Sequence, residues 1–189
     1  MTTLSEIEGW YQEGFNAILA QLDQQQTQPG NICEIGVHHG KSFVHLLPFL
    51  DEVTGEKALA IDCFEQQQFN VSGSGKGDYD IFMGNIKKWQ DVVEVIRDNS
   101  AYLEWLELHN QCDNDLGFRI FHIDGGHDFH TTLDDIDLAM RTCEQQRESV
   151  IILDDVFNAN WPEVSRAFYD HVPDIDWLSL CYGFGKTVI

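Results

Sequence analysis

The chain is short of positive charge: eleven Lys and Arg stand against thirty-two Asp and Glu in 189 residues, a formal net charge of −21. Such a surface repels phosphate backbones and anionic bilayers, so no nucleic acid and no membrane are expected as partners. No apolar run approaches the roughly 18 residues of a membrane span. The opening Met1-Thr2-Thr3-Leu4-Ser5-Glu6 has neither the basic nor the apolar part of a secretory signal. The cytoplasm is the expected compartment. Five cysteines (Cys33, Cys63, Cys112, Cys143, Cys181) form no CxxC pair, and three lie in apolar runs, so buried thiols are expected rather than metal or redox centres. What the chain does have is apolar bulk. Hydrophobic residues make up 43%, with five Trp and twelve Phe, enough for the core of one sizeable soluble domain.

The stretch Asn31-Ile-Cys-Glu-Ile-Gly-Val-His-His-Gly-Lys-Ser42 reads as a buried strand, a glycine turn and a helix start. Gly36 and Gly40 allow a sharp turn that brings backbone amides, and the positive end of the next helix, against a ligand. Spacing separates three ligands. A dinucleotide fingerprint counted from Gly36 needs glycines at 38 and 41, where this chain has His38 and Lys41. Gly40-Lys41-Ser42 imitates a phosphate loop, but that loop needs a glycine where Ile35 stands. S-adenosylmethionine carries no phosphate and asks only for a tight turn near its methionine portion. His38 and His39 beside the turn could orient a methionine portion, but facing solvent is the favoured expectation.

Helical spacing of Ile7, Trp10, Tyr11, Phe15, Ile18, Leu19 and Leu22 predicts one amphipathic helix over Leu4 to Leu22, followed by a Gln-rich link to residue 28. Residues 29–189 then form the main domain. Strand-like runs at Ile32–Ile35, Ala58–Ile61, Val93–Ile96, Phe118–Ile123, Val150–Leu153 and Trp177–Cys181 alternate with helical patterns, which marks a mostly parallel sheet covered on both faces. Asn160-Trp-Pro-Glu163 announces the last helix with an N-cap, an early proline and a capping-box acid. A final short strand, Lys186–Ile189, suggests a chain cut from a longer protein. The Gly-rich connection after the second strand, within about 64–84, is too long for an ordinary loop; such a segment is a lid or disordered, and a lid over the ligand edge is the favoured expectation.

Carboxylates end several strands. Asp62 falls 26 residues after Gly36 and is placed to accept ribose hydroxyls. Asn99-Ser100 follows the third strand and could meet an adenine edge by position. Asp124, in Ile123-Asp-Gly-Gly-His127, and the pair Asp154-Asp155 end the fourth and fifth strands. On neighbouring strands those ends lie roughly 5 Å apart, and crowded hard oxygens call for Mg²⁺, Mn²⁺ or Ca²⁺ rather than zinc. The alternative is that each Asp caps the next turn. His127, past a flexible Gly-Gly turn, is a candidate general base, with His130 a competitor.

With these residues assembled, the chain resembles class I S-adenosylmethionine-dependent methyltransferases, and more closely the metal-dependent O-methyltransferases of sugars and polyketide sugars. The resemblance is carried by Glu34-Ile-Gly36-x-x-x-Gly40-x-Ser42, Ala60-Ile-Asp62, Ser72-Gly-Ser-Gly-Lys-Gly-Asp78 with Phe82-x-x-Asn85, Ile123-Asp-Gly-Gly-His127, and Leu153-Asp-Asp-Val-Phe-Asn158 with Trp161-Pro162. It implies a Rossmann-like three-layer α/β/α sandwich whose mostly parallel seven-stranded sheet has an antiparallel last strand. It implies Glu34, Gly36, Gly40 and Ser42 around the methionine end of the donor, Asp62 on its ribose and Ser100 near its adenine. Asp124, Asp154 and Asp155 would hold the metal beside the donor, with His127 as base. The implied acceptor is a saccharide or glycosylated small molecule; relatives are often fused to or found beside glycosyltransferases, and a homo-oligomer stays open. A non-catalytic donor-binding module of a larger glycan-modifying protein is the alternative, and a metal-dependent hydrolase a third.

Overall fold

The computed structural model describes residues 4–11, 13–73, 75–143, 149–171, 180–182 and 186–188. Strands β1 (Asn31–Ile35), β2 (Ala58–Ile61), β3 (Val93–Ile96), β4 (Phe118–Ile123), β5 (Val150–Leu153), β6 (Leu180–Tyr182) and β7 (Lys186–Val188) form one sheet. Its order is β3-β2-β1-β4-β5-β7-β6. The first five strands are parallel, and β7 runs antiparallel to both neighbours, β5 and β6. Of the strand expected over Trp177–Cys181, residues 177–179 lie outside the described residues.

Every residue of β1, β2 and β4 is buried, as a parallel sheet covered on both faces requires. Side chains alternate between two cores. Cys33, Ile35, Leu59, Ile61, Phe121 and Ile123 pack under α4 (Trp105–Gln111), α5 (Phe129–Cys143) and α6 (Pro162–His171). Ile32, Ala58, Ala60, Ile120 and Ile152 pack on the other face with residues of α1 (Glu13–Gln25), α2 (Phe43–Leu46) and α3 (Tyr79–Asn85). The three layers follow from that alternation. Cys33, Cys112 and Cys143 are buried among these residues, and burial pushes the Cys112 and Cys143 thiols up to about 12.

The single leading helix expected from Leu4 to Leu22 is instead two pieces, a 3-10 turn at Leu4–Glu6 and α1 from Glu13. Gly9, at φ +136°, breaks the run in a conformation no helix contains. The intervening residues cross over the glycine turn, where Tyr11 stacks on His45 at 3.6 Å between ring centroids. At the far end of the sheet, buried Arg119 bonds Glu56, Asp23, Gln26 and two backbone carbonyls, fastening α1 to β4. α6 begins at Pro162, which suits the first helical position. Among the described residues no helix is long and apolar enough to cross a membrane.

Candidate functional site

Strand register builds the site. Ile35 pairs with Ile61 and with Ile123, and Ile123 pairs with Leu153. The next residues are therefore Gly36, Asp62, Asp124 and Asp154, in a row along one sheet edge. Ladder bonds continue into that row: Gly36 N donates to Ile61 O (2.8 Å), Asp124 N to Ile35 O (2.9 Å) and Asp154 N to Ile123 O (2.9 Å). The row spans the point where strand order reverses between β1 and β4, the place where open parallel sheets bind ligands. A cleft of about 1020 Å³ opens there, lined from both sides of the switch point.

On the β1–β2 side, Asp62 accepts from the amides of His38 (2.7 Å) and Phe64 (2.6 Å), one on each carboxylate oxygen. Both donors sit in left-handed backbone, His38 at φ +50° and Phe64 at φ +43°. Burial pushes the Asp62 carboxyl up, against the pull of the two amides, and its spare lone pairs can still take ligand hydroxyls. Cys63 beside it is pushed up to about 11 by burial and by the Asp62 charge. Of the Gly-rich connection, Gln67, Phe69, Asn70, Gly75 and Gly77 line the cleft, and a Cβ on Gly77 would be 3.2 Å from Asp62 Oδ1. Asp78 caps α3 by accepting from Ile81 N, and Asn85 of α3 donates to His39 O (2.9 Å), docking α3 on the glycine turn.

Several expectations for the turn need correction. Glu34 does not reach the cleft. It is fully buried on the α1–α2 face of β1, where it accepts from the Ser42 hydroxyl and lies 3.2 Å from His122 Nδ1. Ser42 lines the cleft and is thus oriented from beneath. The glycines answer to protein contacts first. A Cβ on Gly36 would sit 2.0 Å from Asp124 O, and one on Gly40 3.1 Å from the Phe82 ring. Gly40 itself does not line the cleft. The helix after the turn, α2, has only four residues, so little macrodipole reaches the ligand. His39 is buried, 3.7 Å from Glu8, rather than facing solvent; His38 lines the cleft, and burial lowers its pKa.

On the β4–β5 side, ligand atoms of Asp124, His127 and Asp155 lie within 4.8 Å of one another. His127 Nε2 is 3.0 Å from Asp155 Oδ2, and its ring stacks on Trp161 at 4.4 Å. Asp155 holds a left-handed backbone at φ +59°, with its amide bonded to Asp154 Oδ1 and its Oδ1 taken by Asn158 Nδ2 (2.9 Å). Asp154 lines the cleft but is not one of that trio. The set of two carboxylates and one imidazole suits a divalent cation. His130 is exposed and does not line the cleft, so His127 alone of that pair belongs to the site. Ser100 lines the cleft at the end held by Asn99, whose side chain accepts from Ala101 N.

Sequence reasoning missed the wall formed by Glu8, Gly9, Trp10 and Tyr11, because it placed them inside a helix. It also missed Asn158 and Trp161 as the residues holding Asp155 and His127, although both stand in the motifs that carry the resemblance.

Known proteins resemble this one chiefly in fold. An SAH-bound O-methyltransferase from Bacillus cereus is 21% identical with a TM-score of 0.63, over 97% of this chain and 83% of that one. CalS11, a TDP-rhamnose 3'-O-methyltransferase of calicheamicin biosynthesis, is 14% identical with a TM-score of 0.64, over 93% of this chain and 77% of that one. SAH-bound methyltransferase PaMTH1 from Podospora anserina gives 14% and 0.64, over 95% and 78%. No curated protein matches the chain. The family profile described as "Methyltransferase domain" matches residues 33–156, from within β1 to just past Asp155, and so takes in the whole strand-end row. The chain belongs to that methyltransferase family, as a class I S-adenosylmethionine-dependent enzyme.

Proposed function

We propose that the chain transfers the methyl group of S-adenosylmethionine to a hydroxyl of a small molecule, a saccharide or glycosylated acceptor, with help from a divalent cation, in the cytoplasm. The observation that carries the reading is the convergence of Asp124, His127 and Asp155 in the same cleft as the Asp62 turn. Asp62 would orient the ribose through its spare lone pairs, Ser42 and the turn amides the methionine end, and Ser100 the adenine end. Asp124 and Asp155, backed by Asp154, would hold Mg²⁺ or a similar hard cation, which when bound lowers the pKa of a coordinated hydroxyl. His127 takes the hydroxyl proton, its ring fixed by Trp161 and Asp155. The lid and the N-terminal wall exclude water from a step in which an anionic oxygen meets a cationic sulfonium, a pairing that gains from a dry site.

The sugar acceptor of CalS11, a protein of the same fold, supports the substrate class. The test is methyl transfer from labelled S-adenosylmethionine to a panel of glycosides, nucleotide sugars and catechols, with Mg²⁺ and with excess chelator. Transfer to glycosides that stops in chelator is expected; a rate indifferent to chelator removes the cation, and transfer confined to non-sugar acceptors removes the saccharide. His127 could instead serve as a third ligand, as its position within the trio favours. In that case His127→Gln weakens Mn²⁺ binding as much as it slows transfer.

A further inference from the structure

Asp135 lies in the middle of α5, fully buried. Neither carboxylate oxygen makes a hydrogen bond of ordinary geometry, although the Ser100 hydroxyl lies near enough to favour the charged form. A Cβ on Gly125 would sit 2.6 Å from Asp135 Oδ2, so the carboxyl presses directly on the turn that follows Asp124. Gly125 and Ser100 both line the cleft; Asp135 does not. Such a group is expensive, since a buried acid without closed hydrogen bonds forfeits its hydration. An apolar residue of the same size would avoid that cost, so fold stability does not account for an acid here.

We propose that Asp135 is a positioning residue of the donor site, setting the spacing between the Ser100 loop and the Gly125 turn so that both walls meet the adenosine part of the donor. The inference rests on the donor reading above. Replacing the acid should therefore separate two properties that a purely structural residue would move together.

The experiment is calorimetric titration of the whole chain with the demethylated product, S-adenosylhomocysteine, alongside ligand-free thermal unfolding. Asp135→Leu is expected to keep or raise Tm while weakening binding about tenfold or more, and Asp135→Asn, which keeps the shape and polarity, to bind within about threefold of the parent. Undiminished binding by Asp135→Leu overturns the proposal, as does a parallel fall of affinity and Tm in both variants. Should Asp135→Leu fail to fold, Asp135→Ala, Ser100→Ala and their double variant decide. A double loss no larger than the Ser100→Ala loss supports the coupling, and additive losses overturn it. A parent chain with no affinity for S-adenosylhomocysteine is a separate outcome, which overturns the donor reading and this inference with it.

Discussion

The two ends of the cleft treat their carboxylates differently. Asp62 has each oxygen pinned by a backbone amide, whereas Asp124 and Asp155 crowd against each other and an imidazole. An acid held by the main chain keeps its orientation whatever binds, which suits a ligand recognised through neutral hydroxyls. Acids drawn together gain most from an incoming cation, which relieves their repulsion. The strained backbone divides in the same way. At the first end left-handed residues His38 and Phe64 present donors, and at the second left-handed Asp155 presents an acceptor. The same strand-end row thus has one half whose carboxylate is held by the main chain and one whose carboxylates crowd, the division that the proposed donor and cation roles call for.

The sharpest way to break this contrast is to part the two halves. Gly36 joins them, because any side chain there meets Asp124 O and must also hold φ +84°. Gly36→Ala is expected to cost more than about 4 kcal/mol and leave no folded protein by circular dichroism, whereas Gly73→Ala, with open space around it, should cost about 1 kcal/mol for its backbone alone.

Next in size is a pH effect from Asp135, buried against the Gly125 turn. Burial raises its pKa to about 7, with Asp134 and Asp128 adding to the rise, and its charge in turn helps raise that of buried Cys33 on β1. The unfolded chain would titrate near the ordinary carboxyl value of about 3.9. Folding stability carried by the neutral acid is then fully present below about pH 4, and about 4 kcal/mol of it is lost as pH rises toward about 7. Urea unfolding of Asp135→Asn should lack that decline, and identical pH profiles would dismiss it.

Asp155→Ala tests the crowded half. A fall of about 100-fold in kcat, roughly 3 kcal/mol, is expected with S-adenosylhomocysteine affinity almost unchanged. The smallest effect belongs to the pinned half. Asp62→Ala should weaken S-adenosylhomocysteine about tenfold and also lower Tm, since two amides lose their acceptor. If Asp62→Ala removed metal affinity, or Asp155→Ala removed donor affinity, the division would fail.

Periodicity and strand ends were legible in the chain because they are local. Apolar runs placed five parallel strands, and the residues closing them, Asp62, Asp124 and Asp154, became a row as soon as the strands paired in register. The glycine turn was legible for the same reason. Less legible was what each residue touches. Glu34 looked like a donor contact but faces α1 and α2, and Gly36 and Gly40 looked like openings for a ligand but clear space for Asp124 and Phe82. The apparent helix over Leu4 to Leu22 ignored Gly9, whose conformation sends the chain over the cleft.

Composition and pattern by themselves determined the layered sheet, the strand-end acids and the place of the glycine turn, since these depend on polarity and spacing along the chain. Only the tertiary structure decided which carboxylates share a neighbourhood, which histidine joins them, and that Asp135 is buried without closed hydrogen bonds. Those facts depend on distances between residues far apart in sequence, and packing fixes such distances only after the whole chain has closed on itself.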